Sequence, residues 1–281
     1  MFSPDQYELI DFGDGRRLER FGAWCLDRPC PAVEQMPQAH PDAWQQADAW
    51  FDRTETNSGD WNGRRALPEK WTIAHGSLRF ELKRSPVGHI GLFPEQAANW
   101  DWISEQLDGT EGVRVLNLFA YTGGSTLAAA AAGAEVTHVD AAQNTVGWAR
   151  RNAELSGMAD RPIRWIAEDA MKFVKRELRR GNLYDAVILD PPSYGHGRRG
   201  EVWRLSKHLP RLLDFCGQLT AGRRRFMLLT CHTPGFEADR LRQMMADALG
   251  DGGRLAAGAM SVPAVDGRLL PSGAYASWEA T

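Results

Sequence analysis

Residues 113–140, VRVLNLFAYTGGSTLAAAAAGAEVTHVD, have the pattern of one strand–loop–helix–strand unit. The segment 113–119 is almost continuously apolar, which is usual for a central parallel strand covered on both faces. Gly123 and Gly124 permit a sharp turn and a close approach to a ligand, and the alanines that follow favour a helix. Asp140 follows the second strand, where an acidic residue commonly accepts hydrogen bonds from ribose hydroxyls. This order predicts a nucleoside-type cofactor site; the alternative is a βαβ unit with a surface aspartate.

The composition is that of a soluble globular protein, with 43% hydrophobic and 25% charged residues. A net charge of −3 does not indicate a nucleic-acid-binding protein, so any basic surface must be local. Residues 1–17 carry charge without an apolar stretch, and no run is long enough to cross a bilayer. We therefore expect no membrane association and a cytoplasmic location. The four scattered cysteines form no CxxC pair, which argues against a metal site or a disulfide framework.

The pattern changes near residue 93. Residues 1–93 contain short predicted strands separated by glycine turns, the last of them over residues 88–93, and predict a small β-rich N-terminal module. Residues 94–281 alternate strands and helices, which predicts an α/β domain with a parallel sheet. Its last two predicted strands have no helix between them. A hairpin there would make the final strand antiparallel, which NAD-type Rossmann folds usually lack.

Polar or reactive residues follow five successive predicted strands. Residues 117–121 end the first strand, and Asp140, Asp169, Asp190 and Cys231 follow the next four. In an open α/β sheet, ligands bind in the crevice outside the carboxyl ends of the strands. We therefore expect these five positions to contribute to one site.

Four segments in this chain carry a family resemblance: LNLFAYTGG, VDAAQNTVGWARRNAELSG, AEDAMKFV and VILDPPSYGHG. In their order and spacing they resemble class I S-adenosylmethionine-dependent methyltransferases, and more closely the bacterial 23S rRNA large-subunit (cytosine-C5) methyltransferases. The similarity runs from near Gly88 to the C-terminus, and DPPSYGHG…GEVW is its most specific part. It implies a Rossmann-like seven-stranded sheet with an antiparallel last strand. The segment FAYTGG lacks the Gly-x-Gly-x-x-Gly pattern of NAD sites, which favours S-adenosyl-L-methionine as the cofactor.

The resemblance assigns ten residues to the cofactor: Gln96, Phe119, Ala120, Tyr121, Thr122, Gly123, Asp140, Ala141, Asp169 and Ala170. Residues 119–123 would enclose the methionine part. Asp140 would accept from the ribose hydroxyls, and Asp169 from the adenine amine. Asp169 also suits a helix N-cap, and both roles can hold at once. The arginine that often follows the family glutamine is replaced here by Ala97.

The resemblance places the target base at the loop of residues 190–194, with Asp190, Pro191, Pro192 and Tyr194 as catalytic-site residues. Two prolines stiffen this loop, and Pro192 has no N–H, so neighbouring carbonyls remain available to accept from a base amine. Tyr194 could stack on a flipped base, a contact worth about 1–3 kcal/mol. The alternative is a rigid turn between strand and helix.

Cys231 lies where the cytosine enzymes have a cysteine, in the segment Thr230-Cys231-His232. Methylation of cytosine C5 needs covalent activation: a thiolate adds to C6, C5 takes the methyl group, and a base removes the C5 proton. A free thiol is only a few per cent ionised at neutral pH, so such a site must lower its pKa. His232 would point to the opposite face of the extended chain and is not expected to help. The alternative is that Cys231 only fills core space.

A basic stretch follows the 190–194 loop, and four of its residues are candidates for nucleic-acid binding: Arg198, Arg199, Arg204 and Lys207. Trp203 lies among them. Cations beside a base pocket suit phosphate groups.

These observations predict a methyltransferase that acts on a base of RNA, with ribosomal RNA and cytosine C5 favoured. Three alternatives stay open: methylation of a guanine or adenine nitrogen in RNA, methylation of a small molecule, and a cofactor-binding module that docks on RNA or protein without catalysis. Amino-methylating enzymes have an Asp-Pro-Pro-Tyr loop close to DPPSY, and their chemistry needs no thiol.

Overall fold

We describe a computed structural model of the chain, which covers residues 1–54, 58–196, 202–250 and 252–281. The chain divides into two compact units. The first contains Met1–Ala98 and Ser261–Ser272, and the second contains Asn99–Met260 and Gly273–Thr281. In the part of the chain that the structure describes, no helix has both the length and the apolar character needed to span a membrane.

The first unit is built on a five-stranded sheet whose strands lie in sequence order: β1 (Tyr7–Gly13), β2 (Arg16–Phe21), β3 (Trp24–Pro29), β4 (Ala49–Arg53) and β5 (Gly59–Gly63). All neighbours pair antiparallel except β3 and β4, which are parallel. A separate hairpin consists of β6 (Trp71–His75) and β7 (Leu78–Leu82). The sequence therefore predicted the β-rich character of this region.

Two local predictions in the first unit differ from the structure. The strand predicted over residues 88–93 is wrong, because Gly88 (φ 79°) and Gly91 (φ 97°) adopt left-handed conformations that interrupt an extended backbone. The strands β4 and β5 were not predicted. Short strands with few alternating apolar residues, such as GDWNG in β5, give little periodic signal.

The second unit contains a seven-stranded sheet of order β10-β9-β8-β11-β14-β16-β15. Its strands are β8 (Arg114–Leu118), β9 (Glu135–Asp140), β10 (Ile163–Ala167), β11 (Ala186–Leu189), β14 (Phe226–Cys231), β15 (Gly253–Pro263) and β16 (Leu269–Ala280). The first five in the chain run parallel, and β16 pairs antiparallel with β14. The predicted seven-stranded sheet with an antiparallel last strand is confirmed.

Six helices accompany these strands: α1 (Ala97–Leu107), α2 (Gly124–Ala131), α3 (Gln143–Leu155), α4 (Ala170–Arg179), α5 (Leu205–Leu219) and α6 (Ala238–Leu249). A buried apolar cluster joins the sheet to α4, α5 and α6. The helix predicted from residue 201 begins later, at Leu205. A short antiparallel ribbon of β12 (Tyr194–His196) and β13 (Val202–Arg204) precedes it, and the ribbon places the side chain of Trp203 in the apolar cluster.

Candidate active site

The register of the parallel strands brings their carboxyl ends to one edge of the sheet. Leu118, the last residue of β8, is paired with Leu189 of β11 and with Val139 of β9. Leu189 is in turn paired with Leu229 of β14. The residues that follow these strands therefore share one edge, as the sequence predicted.

The loop after β8 contains backbone strain. Phe119 (φ 55°) and Tyr121 (φ 48°) are non-glycine residues in the left-handed region, and Gly123 (φ 92°) also lies there as the N-cap of α2. For the two non-glycine residues, such conformations cost about 1–3 kcal/mol each and persist only where the surroundings hold them. One holding contact is a hydrogen bond from the Tyr121 N–H to the Asp140 carboxylate, at 3.0 Å. Thr122 is buried in the same loop and its carbonyl accepts from Asn152 of α3 at 2.9 Å.

The carboxylate of Asp140 is held in place from two sides. Its second oxygen accepts a hydrogen bond from the Ala142 N–H at 2.9 Å. Burial raises the pKa of Asp140 above its ordinary value, although these two backbone N–H groups oppose the rise. Ala141 lies between, half-buried. A carboxylate with this environment is oriented in advance and gains from any further hydrogen-bond donor, such as a hydroxyl.

Gly124 has a packing role that the sequence did not reveal. A Cβ atom at this position would lie 2.4 Å from Cζ2 of Trp100, a buried residue of α1. The ring of Trp100 therefore lies directly against the first turn of α2. The conformational requirement for glycine rests on Gly123, and the steric requirement rests on Gly124.

The predicted adenine-side residues stand at the end of β10. Asp169 caps α4, since its Oδ1 accepts from the Lys172 N–H at 2.9 Å, and Ala170 is the buried first residue of that helix. The N-cap role is thus present, and the adenine contact of Asp169 stays a prediction. Gln96 is a buried residue of the first unit, in the 3₁₀ turn Pro94–Gln96, and its cofactor contact also stays a prediction.

The loop of residues 190–194 is joined to the end of β14 by side-chain contacts. Thr230 donates from its hydroxyl to Asp190 Oδ1 at 2.7 Å, and His232 Nε2 lies 3.5 Å from the same oxygen. Ser193 and Thr233 form a hydroxyl–hydroxyl hydrogen bond of 2.7 Å. The sequence predicted no role for Thr230 or Thr233, and His232 was considered only as a helper of Cys231 and placed on the opposite face. The alternation of an extended strand, which puts residues 230 and 232 on the same face, is the signal that could have identified two of them.

Trp203 fixes the other side of this loop. Its indole N–H donates to the Pro192 carbonyl at 2.7 Å, and the Leu205 N–H donates to the Ser193 carbonyl at 3.0 Å. The Trp203 ring also lies 4.9 Å from the ring of Phe119, centroid to centroid. These contacts occupy two of the carbonyls that a base could have used. Pro191 is buried, and Tyr194 has 51% of its surface exposed.

Cys231 faces away from Asp190. Its neighbours in the chain, Thr230 and His232, both contact that carboxylate, so the thiol between them projects to the other face of β14 and into the apolar cluster. Cys231 is only 1% exposed, and burial raises the pKa of its thiol. The Thr233 N–H opposes this rise by donating to Sγ at 3.5 Å.

The predicted nucleic-acid-binding residues are partly described. Arg204 ends β13 and Lys207 lies in the first turn of α5, and both are exposed. Arg198 and Arg199 lie outside the described residues.

Comparison with known proteins identifies the family of this chain. A family model for S-adenosylmethionine-dependent methyltransferases matches residues 47–230, which is more than half of the chain. The chain belongs to the S-adenosylmethionine-dependent methyltransferase family. The crystal structure of a SAM-dependent methyltransferase from Agrobacterium tumefaciens is similar over 98% of this chain and 91% of that one, with a TM-score of 0.93 and 38% identity.

Curated relatives include enzymes named for ribosomal RNA. Ribosomal RNA large subunit methyltransferase K/L of Hahella chejuensis is 31% identical over 170 residues, which are 60% of this chain and 23% of the relative. Ribosomal RNA large subunit methyltransferase I of Aeromonas hydrophila is 40% identical over 90 residues, which are 32% of this chain and 23% of the relative. The matched region thus spans less than a quarter of the length of either relative.

The residues at the sheet edge fit the cofactor of this methyltransferase family. S-adenosylmethionine has a ribose with two hydroxyl donors, and the preoriented Asp140 carboxylate is a suitable acceptor. The loop of residues 119–123, with three residues in the left-handed region, follows the end of β8 and contacts Asp140 through the Tyr121 N–H. The Asp140 acceptor and the neighbouring loop therefore fit a nucleoside that carries an amino-acid chain.

Proposed function

We propose that this methyltransferase modifies a base of RNA, with ribosomal RNA as the substrate class. The observation that carries the proposal is the position of the loop of residues 190–194. Contacts with Thr230, His232 and Trp203 hold this loop at the same edge of the sheet as Asp140. The exposed Tyr194 ring gives this loop a surface on which a flipped base can stack. The names of the Hahella and Aeromonas relatives support RNA as the polymer.

The chain's own residues would bind and orient both reactants. When bound, S-adenosylmethionine supplies an electrophilic methyl group. Asp140 would hold the ribose, residues 119–123 the methionine part, and Asp169 the adenine amine. The Asp190 carboxylate, together with the Pro191 carbonyl, would accept from a base amine; the Pro192 and Ser193 carbonyls already accept from Trp203 and Leu205. Arg204 and Lys207 would contact phosphates near the base.

We further propose a base nitrogen as the methyl acceptor. A guanine or adenine amine needs an oriented acceptor and no covalent activation, and Asp190 with Pro191 meets that need. The Cys231 thiol points away from Asp190, which works against its attack on a base held there. Its raised pKa works against the thiolate form at neutral pH. Asp190 is itself oriented by Thr230 and His232, which suits a positioning role for the carboxylate.

Cytosine C5 is the second candidate, because one observation favours it. Cys231 ends β14, the strand next to β11 and Asp190, and its sulfur accepts a backbone N–H that favours the thiolate. In this case Cys231 would add to C6 of the base and leave again after C5 is methylated and deprotonated. That route requires a rotation of the thiol out of the apolar cluster.

The test is mass spectrometry of ribosomal RNA nucleosides from a deletion strain, before and after addition of the purified protein with S-adenosylmethionine. Restoration of one methylated nucleoside would support the proposal and identify the atom. Cofactor binding by calorimetry without methyl incorporation into any RNA would instead indicate a docking protein. The variant Cys231→Ala then separates the two candidates: full activity eliminates the cytosine mechanism, and complete loss with intact cofactor binding eliminates the nitrogen mechanism.

A further inference from the structure

A cleft of about 400 Å³ opens at the sheet edge opposite to the proposed active site. The first residues of three neighbouring strands line it: Arg114 of β8 pairs with Glu135 of β9, and Ile163 of β10 pairs with Val136. Because these strands are parallel, their amino ends meet at this edge, whereas the residues proposed for methyl transfer follow their carboxyl ends.

Positive charge dominates this cleft. Three of its lining residues are arginines, Arg114, Arg161 and Arg164, and Glu135 is the one carboxylate among the described lining residues. The Arg114 guanidinium lies over the Tyr184 ring, 5.2 Å from its centroid. Within the described part of the chain, neither Arg114 nor Arg161 forms an ion pair with a carboxylate. Two guanidinium groups are therefore available to an anion.

The third arginine is only weakly neutralised. Arg164 lies 3.9 Å from the buried carboxylate of Glu177, and half of its side chain is exposed. That carboxylate already accepts hydrogen bonds from the Tyr184 hydroxyl at 2.9 Å and from Asn182 at 2.8 Å. Arg164 can therefore turn toward an anion in the cleft without leaving Glu177 unsatisfied.

We propose that this cleft binds the sugar–phosphate backbone of the RNA substrate. The guanidinium groups would contact phosphate oxygens, a geometry to which the planar arginine fork is well suited. Glu135, exposed at the rim, would accept a hydrogen bond from a 2′-hydroxyl, the group by which RNA differs from DNA. The inference rests on the proposed function, because it assigns a second contact to the same RNA.

The position of β10 makes the two contacts compatible. This strand is the outermost strand on one side of the seven-stranded sheet and contains five residues. Its amino and carboxyl ends, and with them the cleft and the proposed active site, are therefore separated by about 16 Å in the strand direction. An RNA strand that presents a base at the carboxyl edge can follow the side of β10 to the amino edge. Arg161 and Arg164 lie just before and within this strand.

The test is the salt dependence of RNA binding by the full chain. The probes are a fluorescent single-stranded RNA of mixed sequence and the DNA of the same sequence. For Arg161→Ala/Arg164→Ala we expect about tenfold weaker RNA binding and a salt slope reduced by about 1.4, since each lost phosphate contact removes about 0.7. Arg242→Ala, which removes an exposed cation from α6, should leave both unchanged. Glu135→Ala removes the acceptor as well as the charge, and because the charge acts on both nucleic acids, this variant should lower the affinity for RNA relative to that for DNA.

Each outcome decides one point. Unchanged affinity and slope in the double variant, while the wild-type chain binds RNA, would overturn the cleft and leave the proposed function intact. An equal effect of Glu135→Ala on RNA and DNA would overturn the ribose contact. A wild-type chain that binds S-adenosylhomocysteine but neither nucleic acid would overturn both proposals. Cofactor binding and melting temperature, measured for every variant, identify any variant that fails to fold.

Discussion

The indole N–H of Trp203 donates a 2.7 Å hydrogen bond to the carbonyl of Pro192, eleven residues earlier in the chain. The same ring packs on Phe119, which follows the central strand β8. Trp203 therefore connects the loop proposed for the base with the loop proposed for the cofactor. In a protein whose proposed reaction depends on the relative placement of two substrates, such a contact has catalytic consequences.

Trp203→Phe should lower the methylation rate more than Trp102→Phe does. Phenylalanine retains much of the ring packing but removes the donor to Pro192, a loss of about 1 kcal/mol, or about fivefold in rate if the loop then moves. Steady-state methyl incorporation measures the effect. The control is Trp102→Phe, whose half-buried ring packs on Phe226. Equal losses in the two variants would contradict a specific role for Trp203.

Asp140→Asn should weaken cofactor binding. An amide offers one acceptor oxygen instead of two, so we expect S-adenosylhomocysteine to bind at least about tenfold more weakly by calorimetry, for the loss of charge-assisted hydrogen bonds. Asp160→Asn, at an exposed position, is the control. Cofactor affinity within about twofold of wild type would refute the assignment of Asp140.

The same variant gives a stability prediction whose sign follows from the pKa. Burial raises the pKa of Asp140 in the folded chain above its unfolded value. Ionising this carboxylate therefore costs folding free energy. The cost is fully present above the folded pKa and disappears as the pH falls below the unfolded pKa. As the pH falls from neutral toward the unfolded pKa, the melting temperature of the cofactor-free wild type should therefore rise relative to that of Asp140→Asn, whose amide does not titrate, and a relative fall would contradict this account.

The unit of residues 113–140 was predictable because its signals are local. An apolar run, a glycine turn, an alanine-rich helix and a terminal aspartate are each read within a few residues, and parallel pairing then aligns the strand ends. The contact between Trp203 and Pro192 was not predictable. It depends on the ribbon of β12 and β13, which interrupts a stretch with helical periodicity.

The orientation of Cys231 required the structure for a different reason. Alternation along a strand predicts that residues 230 and 232 share a face and that Cys231 takes the other. Which of the two faces looks toward Asp190 depends on the packing of α5 and α6 against the sheet. Only the contacts of Thr230 and His232 with Asp190 resolve it.

The pH dependence of the reaction should show whether the Cys231 thiol takes part. Because burial raises its pKa, the thiolate is scarce at neutral pH and increases about tenfold for each pH unit up to that pKa. A reaction at a base nitrogen needs no thiolate, so we expect the rate to change little between about pH 7 and pH 9. A steep rise over this range that Cys231→Ser abolishes would favour the cytosine mechanism instead.

Two glycine-to-alanine substitutions should change stability in opposite directions. At Gly124 the new methyl group would lie 2.4 Å from the buried Trp100 ring, so we expect a loss of about 1–3 kcal/mol from overpacking. At Gly147, inside α3, the new methyl group would have no heavy atom within 4 Å apart from its chain neighbours and the backbone of its own helix, and alanine should add about 0.5–1 kcal/mol through higher helix propensity. Chemical denaturation measures both changes.

Because the first turn of α2 also anchors Gly123 and the strained loop before it, Gly124→Ala should weaken cofactor binding as well, while Gly147→Ala should not. A Gly124→Ala protein as stable as the wild type would mean that the Trp100 ring can move aside, and the close packing would then not explain the glycine.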